Sequence, residues 1–209
     1  MLPNIYHITH IRNLPSIIRV GGILANNRLQ RQQIDYTDIA HASIQDRRAY
    51  ISVPCSERGT LHDYVPFYFA ARSPMLYSLN KGNIKGYTDG QTPILYFVTD
   101  IDEILDEEIP FTFTDGHAIM GYSEFYDNWE CLEWAIDWEI MEARYWSDTD
   151  EDGDRKRRRQ AEFLVYECCP WTCIKEIGVI NSTMQTKVRE ILQTVAHQPS
   201  VTIQSSWYY

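Results

Sequence analysis

Four groups of residues carry side chains able to do chemistry. His7-Ile8-Thr9-His10 places two imidazoles and a hydroxyl in four positions, Arg47-Arg48 sets two guanidinium groups side by side, Arg155 to Arg159 is a run of five cations, and Glu162 follows it closely. On a strand, residues three apart point to opposite faces, so His7 and His10 are poor co-ligands for one metal. Each is read either as a site residue or as a satisfied turn histidine. Ser56, Ser73 and the cysteines lack the neighbours that activate a nucleophile. Cys55, Cys131, Cys168, Cys169 and Cys173 form no paired CxxC halves that would make a zinc site, so no metal is expected. The chain has no Walker loop, GxGxxG, HExxH or GxSxG. The five cations follow the acidic stretch Asp148 to Asp154, and they either pair with it or are free for phosphate.

Elements that would position these groups can be read from periodicity. Residues 4–9 suit a strand, which ends His7-Ile8-Thr9 near a turn. Asn13 can cap a helix running through Ile18, with Pro15 in its first turn and Gly21-Gly22 ending it. Residues 38–48 suit a helix burying Ile39 and Ile44; an arginine on its exposed face, Arg48 included, would add little to folding. Residues 64–70 and 93–98 are apolar runs of strand length, and Ser73-Pro74 is a helix start. Residues 126–145 read as irregular helical segments. Residues 161–167 alternate as a strand with Glu162, Leu164 and Tyr166 on one face, which sets the carboxylate near a sheet edge. A strand at 174–180, a helix at 184–195 and a strand at 200–204 close the chain.

The 209 residues carry 44% hydrophobic side chains and no linker or repeat, enough for one core and a single α+β domain over 1–209. A formal charge of −10 argues against broad duplex binding, since phosphate contacts need cations. The 14 tyrosines and 6 tryptophans leave rings available for stacking beyond those a core needs. The N-terminal residues have no signal-peptide pattern, and no stretch of 18 apolar residues occurs, so a cytoplasmic protein with reduced thiols and no membrane partner is expected.

Longer strings are more specific than any of these motifs. YHITHIRNLPSII, IQDRRAY, LHDYVPFYFAARSPMLY, FTDGHAIM and RKRRRQAEFLVY, in this order, resemble the DarT family of bacterial DNA ADP-ribosyltransferase toxins, from about Tyr6 to Tyr209. YFAARSPMLY is also similar to the tyrosine strand and following helix of poly(ADP-ribose) polymerases. The resemblance implies the ADP-ribosyltransferase fold, a split mixed β-sheet flanked by helices, with NAD⁺ as co-substrate in the central cleft. It implies single-stranded DNA and a macrodomain antitoxin of the DarG type as partners.

By the same resemblance, His7, Ile8 and Thr9 form the NAD⁺-binding tripeptide, and Ser16, Leu24, Tyr68 and Tyr77 are further cofactor contacts. The family commonly has glycine where Ser16 stands. Residues 29–47 match a variable element covering the cofactor. Arg48 matches a residue needed for activity; family descriptions make it a proton acceptor, whereas a guanidinium, almost always charged, is better suited to stabilising a deprotonated base or the pyrophosphate. Glu162 matches the catalytic glutamate, whose carboxylate can stabilise the oxocarbenium-like ribose formed as nicotinamide leaves. His117 and Met75 fall beside the acceptor base. Tyr145 and Trp146 offer stacking, and Arg157 and Arg158 offer charge to phosphates of a single strand. Thymidine is the expected acceptor. Transfer to guanosine, RNA, protein or water, and a silent nucleic-acid-binding module, are the competing readings.

Overall fold

ILYFVTD is buried at every position, which requires cover on both faces of its strand. In the computed structural model, which describes residues 2–209, this segment lies within an 8-stranded sheet. The strands are β1 (Asn4–His10), β2 (Gly22–Leu24), β3 (Tyr64–Tyr68), β4 (Ile94–Asp100), β5 (Phe111–Thr114), β6 (Phe125–Tyr126), β7 (Glu162–Tyr166), β8 (Cys168–Pro170), β9 (Glu176–Val179) and β10 (Ser200–Ile203). Their order in the large sheet is β10-β9-β4-β1-β3-β7-β5-β6, while β2 and β8 form a separate pair. The β10–β9 pairing is parallel and the others are antiparallel, so the sheet is mixed.

The helices are α1 (Leu14–Val20), α2 (Asn26–Arg31), α3 (Ala42–Arg48), α4 (Pro74–Asn80), α5 (Ile101–Asp106), α6 (Leu132–Ala135), α7 (Trp138–Glu142), α8 (Arg155–Arg158) and α9 (Ser182–Leu192). Ser73 caps α4 by accepting from the Leu76 amide at 3.2 Å, as its sequence implies. Gly21 ends α1 in the left-handed region at φ 82°. Gly22 instead begins β2, where a Cβ would stand 2.4 Å from the Cys169 carbonyl oxygen, so glycine allows the close approach to β8.

The sheet is split. β1 pairs with β4 through seven residues from Asn4↔Asp100 to His10↔Ile94, but with β3 through Tyr6↔Tyr68 alone. Pro66, central in β3, has no amide hydrogen to extend a ladder, and its carbonyl accepts the His7 Nδ1–H at 2.8 Å. The two halves of the sheet therefore part beyond Tyr6, and the cleft opens along the part.

Two sequence expectations differ here. Residues 38–41 are not helical; α3 begins at Ala42, and Ile39 is buried from a loop while Ile44 is half-buried. β7 is not at a sheet edge but lies between β3 and β5, and Glu162 is 3% exposed. Alternation along one strand reports its faces and carries no information on which strands flank it.

Candidate active site

β1, α1, β2, the loop 34–41, α3 and the first residue of β7 surround one cleft. His7, Ile8, Thr9, Ser16, Leu24, Arg48, Tyr68, Met75, His117 and Glu162 all line it. His10, on the opposite face of β1, turns away and contacts Asp89 at 3.3 Å. Tyr68 stands directly across from Glu162 in the β3–β7 register, and its hydroxyl donates to Met75 Sδ at 3.6 Å. Burial, then the Glu162 charge, raises the Tyr68 phenol, which stays protonated.

Glu162 Oε2 accepts from Arg48 Nη1 at 2.7 Å, and Oε1 accepts from the Ala118 amide at 3.1 Å with His117 Nδ1 at 3.5 Å. Burial pushes this carboxyl up, but the Arg48 and His117 contacts outweigh it and hold it at about 2. It is therefore an anion throughout the neutral range. Arg48 Nη2 is buried and has no hydrogen-bond partner among the described residues. An orphaned guanidinium nitrogen in a cleft wall is a position for a ligand oxygen. Arg48 is also the one arginine or lysine among the described residues of the cleft lining.

The exposed-face expectation for Arg48 does not hold, because α3 turns this arginine inward until only 7% of it is exposed. Its helix is fixed from the cleft side by the Gln45 side chain, bonded to His62 Nε2 at 3.0 Å. Burial, then the Arg48 charge, lowers the His62 imidazole, which stays neutral. His7 is neutral as well: burial brings it to about 4, against the opposing effect of its Pro66 bond. With Nδ1–H given to Pro66, its Nε2 is an acceptor for a ligand hydroxyl.

Sequence reasoning missed Asn13. Its side chain caps nothing; Nδ2 donates to Thr9 Oγ1 at 3.1 Å and to the Thr37 carbonyl at 3.0 Å, and Oδ1 accepts from the Thr37 amide at 2.7 Å. Asn13 thus ties the loop over the cleft to β1. An asparagine just before a Leu-Pro helix start carries the signal of a cap, and only the loop's proximity redirects it. Tyr77 is likewise not in the cleft. It packs edge-on against Trp146 and Tyr209, with ring centroids 6.1 and 5.1 Å away, because α4 points it outward. Trp146 donates Nε1–H to the Tyr209 hydroxyl at 3.2 Å, and Tyr145 is exposed. Neither lines the cleft.

The basic run differs most from its expected role along phosphates. Arg157 bonds Asp154, Asp115 and Ser123, and Arg158 pairs with Asp137 at 2.7 Å as well as with Asp152. Arg159 is buried on the carbonyls of Ile140, Met141 and Ala71. Arg155 binds the Ser147 and Tyr145 carbonyls. Asp152 and Asp154 of the neighbouring acidic stretch, with Asp115 and Asp137, engage Arg157 and Arg158, so these two cations help close the loop before Glu162. Arg158→Ala is therefore expected to leave the salt dependence of oligonucleotide binding nearly unchanged; a slope reduced by about one would mean that Arg158 meets a phosphate.

The sequence profile described as "ssDNA thymidine ADP-ribosyltransferase, DarT" matches residues 6–209. The chain belongs to the DarT family. A DNA ADP-ribosyl transferase of Thermus sp. (strain 2.9) is 43% identical over 207 residues, covering 98% of this chain and 95% of that protein. Thermus sp. 2.9 DarT in complex with ADP-ribosylated ssDNA superposes with a TM-score of 0.91 at 41% identity, over 99% of this chain and 96% of that one. The same protein in complex with NAD⁺ gives 0.88 at 39% identity, over 99% and 97%. A DNA ADP-ribosyl transferase-DNA ADP-ribosyl glycohydrolase fusion protein of Thermosipho africanus is 28% identical over 188 residues, 90% of this chain and 45% of the fusion. As a DarT-family ADP-ribosyltransferase the chain uses NAD⁺. Among the described residues no group of three or more His, Cys, Asp or Glu could hold a metal, and no helix is long and apolar enough to cross a membrane.

Proposed function

We propose that this enzyme transfers ADP-ribose from NAD⁺ to a thymine of single-stranded DNA and releases nicotinamide. The observation that carries this is the ionised Glu162, buried where the sheet parts and held by Arg48, a cleft-lining residue whose second nitrogen is buried without a partner among the described residues. As the bond from ribose C1″ to nicotinamide breaks, positive charge grows on the ribose ring. A fixed carboxylate beside it stabilises that charge without reorganisation. His7 Nε2 and the Thr9 region hold the adenosine half, with Ile8, Ser16 and Leu24 as further walls. Tyr68 and Met75 close the cleft beside Glu162, and the acceptor base enters on the His117 side.

Residues 1–209 act as one domain, in the cytoplasm, where the five cysteines stay reduced. The toxin is opposed by an antitoxin of the macrodomain, DarG type that removes the ADP-ribose. The Thermosipho relative is a fusion of a DNA ADP-ribosyl transferase with a DNA ADP-ribosyl glycohydrolase, which supports this pairing of activities.

Thymine N3 is engaged in pairing inside a duplex, and extruding a base costs a few kcal/mol. With Arg157 and Arg158 already paired, the loop before Glu162 offers a narrow rather than a broad cationic surface for distorting a duplex. The enzyme incubated with labelled NAD⁺ is expected to place an ADP-ribose adduct, located by mass spectrometry, on single-stranded thymine-containing DNA. The matched duplex and the matched RNA should carry far less. Equal modification of the duplex, or adducts on RNA or guanine alone, would overturn this assignment.

A further inference from the structure

Residues 34–41 border the cleft without forming helix or strand, and all of them but Asp35 line it. A segment of this kind keeps one shape only where something outside it takes up its backbone groups. Among the described residues, the backbone of 35–40 bonds to the rest of the chain at Thr37 alone, and both of those bonds go to the Asn13 side chain. The Thr37 amide donates to Oδ1 at 2.7 Å and the Thr37 carbonyl accepts from Nδ2 at 3.0 Å, so one side-chain amide takes the place of a neighbouring strand. We propose, on the reading given above that this cleft holds NAD⁺, that Asn13 is the positioning residue that fastens segment 34–41 as a preformed wall of the NAD⁺ site and thereby sets the affinity for NAD⁺.

Thr37 presents one donor and one acceptor to the same side chain, which admits a single orientation of the Asn13 amide. The second Nδ2 hydrogen goes to Thr9 Oγ1 at 3.1 Å, so the same group joins the segment to the His7-Ile8-Thr9 tripeptide. Both hydrogens are then spent inside the protein. Asn13 is buried and has none left to donate to a ligand, so it acts through Thr37 and Thr9. The segment has two further ties, neither of them on its backbone. Ile39 is buried in a cluster with Ile8, Leu76 and Leu79, and the Tyr36 hydroxyl accepts from Asn26 Nδ2 at 3.0 Å. Apolar contact is non-directional, so Ile39 holds the segment down without fixing which backbone groups face the cleft.

A wall that is ordered beforehand adds nothing to the cost of binding, whereas the entropy lost in ordering a loosened one falls on the binding step. Once NAD⁺ is bound the segment is ordered in either case. α3, which follows it, has anchors of its own in the Gln45–His62 and Arg48–Glu162 bonds, so loosening the segment leaves Arg48 in place. The effect of Asn13 therefore lies in the affinity for NAD⁺ and not in turnover at saturation.

Calorimetric titration of NAD⁺ into the whole chain, with hydrogen–deuterium exchange followed over residues 34–41, tests this. Asn13→Ala is expected to weaken NAD⁺ binding about tenfold or more and to open the Thr37 amide to fast exchange in the free protein. Turnover at saturating NAD⁺ should stay within about threefold of wild type. Asn13→Asp keeps the size and the acceptor for the Thr37 amide but turns an oxygen on the Thr37 carbonyl, so it should weaken binding at least as much. Asn181→Ala removes a different asparagine contact, the α9 cap to the Met184 amide at 3.0 Å, outside the cleft lining, and should leave NAD⁺ affinity unchanged. The Asn13 side chain caps nothing, so α1 keeps its start in either variant; Asn13→Asp carries the comparison if Asn13→Ala does not melt cooperatively. NAD⁺ affinity within about twofold of wild type in a folded Asn13 variant, or a loss confined to turnover at saturation, would overturn the assignment and leave the proposed reaction intact. NAD⁺ binding to wild type without added protection of 34–41 would remove the reading of the cleft as well. The expected Asn13 pattern without any thymine adduct would support the role of Asn13 and sink the proposed reaction.

Discussion

Glu162→Gln is expected to lower transfer by about 10²-fold or more. The carboxylate is the anion nearest the ribose in the proposed reaction, and the amide keeps its shape while losing its charge. The structure adds a stability cost that an edge-strand glutamate would not have. Oε1 accepts from the Ala118 amide and Oε2 from Arg48, so both neighbours are donors. Glutamine must turn its NH₂ toward one of them and leaves Arg48 without a counter-ion. Breaking a buried pair from one side costs about 3–5 kcal/mol. Turnover must therefore be compared at equal concentrations of folded protein, with NAD⁺ affinity measured separately. A folded Glu162→Gln enzyme within a few-fold of the parent would remove Glu162 from the chemistry.

Arg48→Ala is expected to abolish transfer and also to destabilise the fold, although an exposed arginine would do only the former. At about 3–5 kcal/mol the loss corresponds to roughly 6–20 °C in Tm for a chain of this length. The effect has a pH signature. The folded Glu162 carboxyl is held at about 2 against an ordinary 4.5, so its pairing stabilises the fold above about 4.5, and this contribution is lost as pH falls toward 2. In Arg48→Ala, burial acts without the arginine and the carboxyl rises. The gap in Tm between wild type and variant should accordingly narrow on acidification from neutral pH. A double substitution, Arg48→Ala with Glu162→Ala, should cost less than the sum of the single changes, because the second removes the charge stranded by the first. Equal Tm values for wild type and Arg48→Ala, or strict additivity, would mean that the pair contributes nothing to the fold.

What the sequence determined by itself was local. Period-two alternation marks β7 and continuous apolarity marks β4, Ser73-Pro74 starts α4, and the ordered strings around His7, Arg48, His117 and Glu162 carry the family and most of the cleft lining. The tertiary structure decided which of those residues meet. Arg48 and Glu162 are 114 positions apart, and neither their pairing nor its burial leaves a trace in local periodicity. The same holds for Asn13, which fits a cap by type but is drawn to Thr37 by the loop that crosses it. Tyr77 has the right string and the wrong helix face. The basic run shows the limit most directly: its composition fits phosphate binding as well as self-pairing, and only the positions of Asp115, Asp137, Asp152 and Asp154 settle where its charge goes. Propensity and pattern act within a few residues, whereas the electrostatics of a site are set by charges that folding brings together from distant parts of the chain.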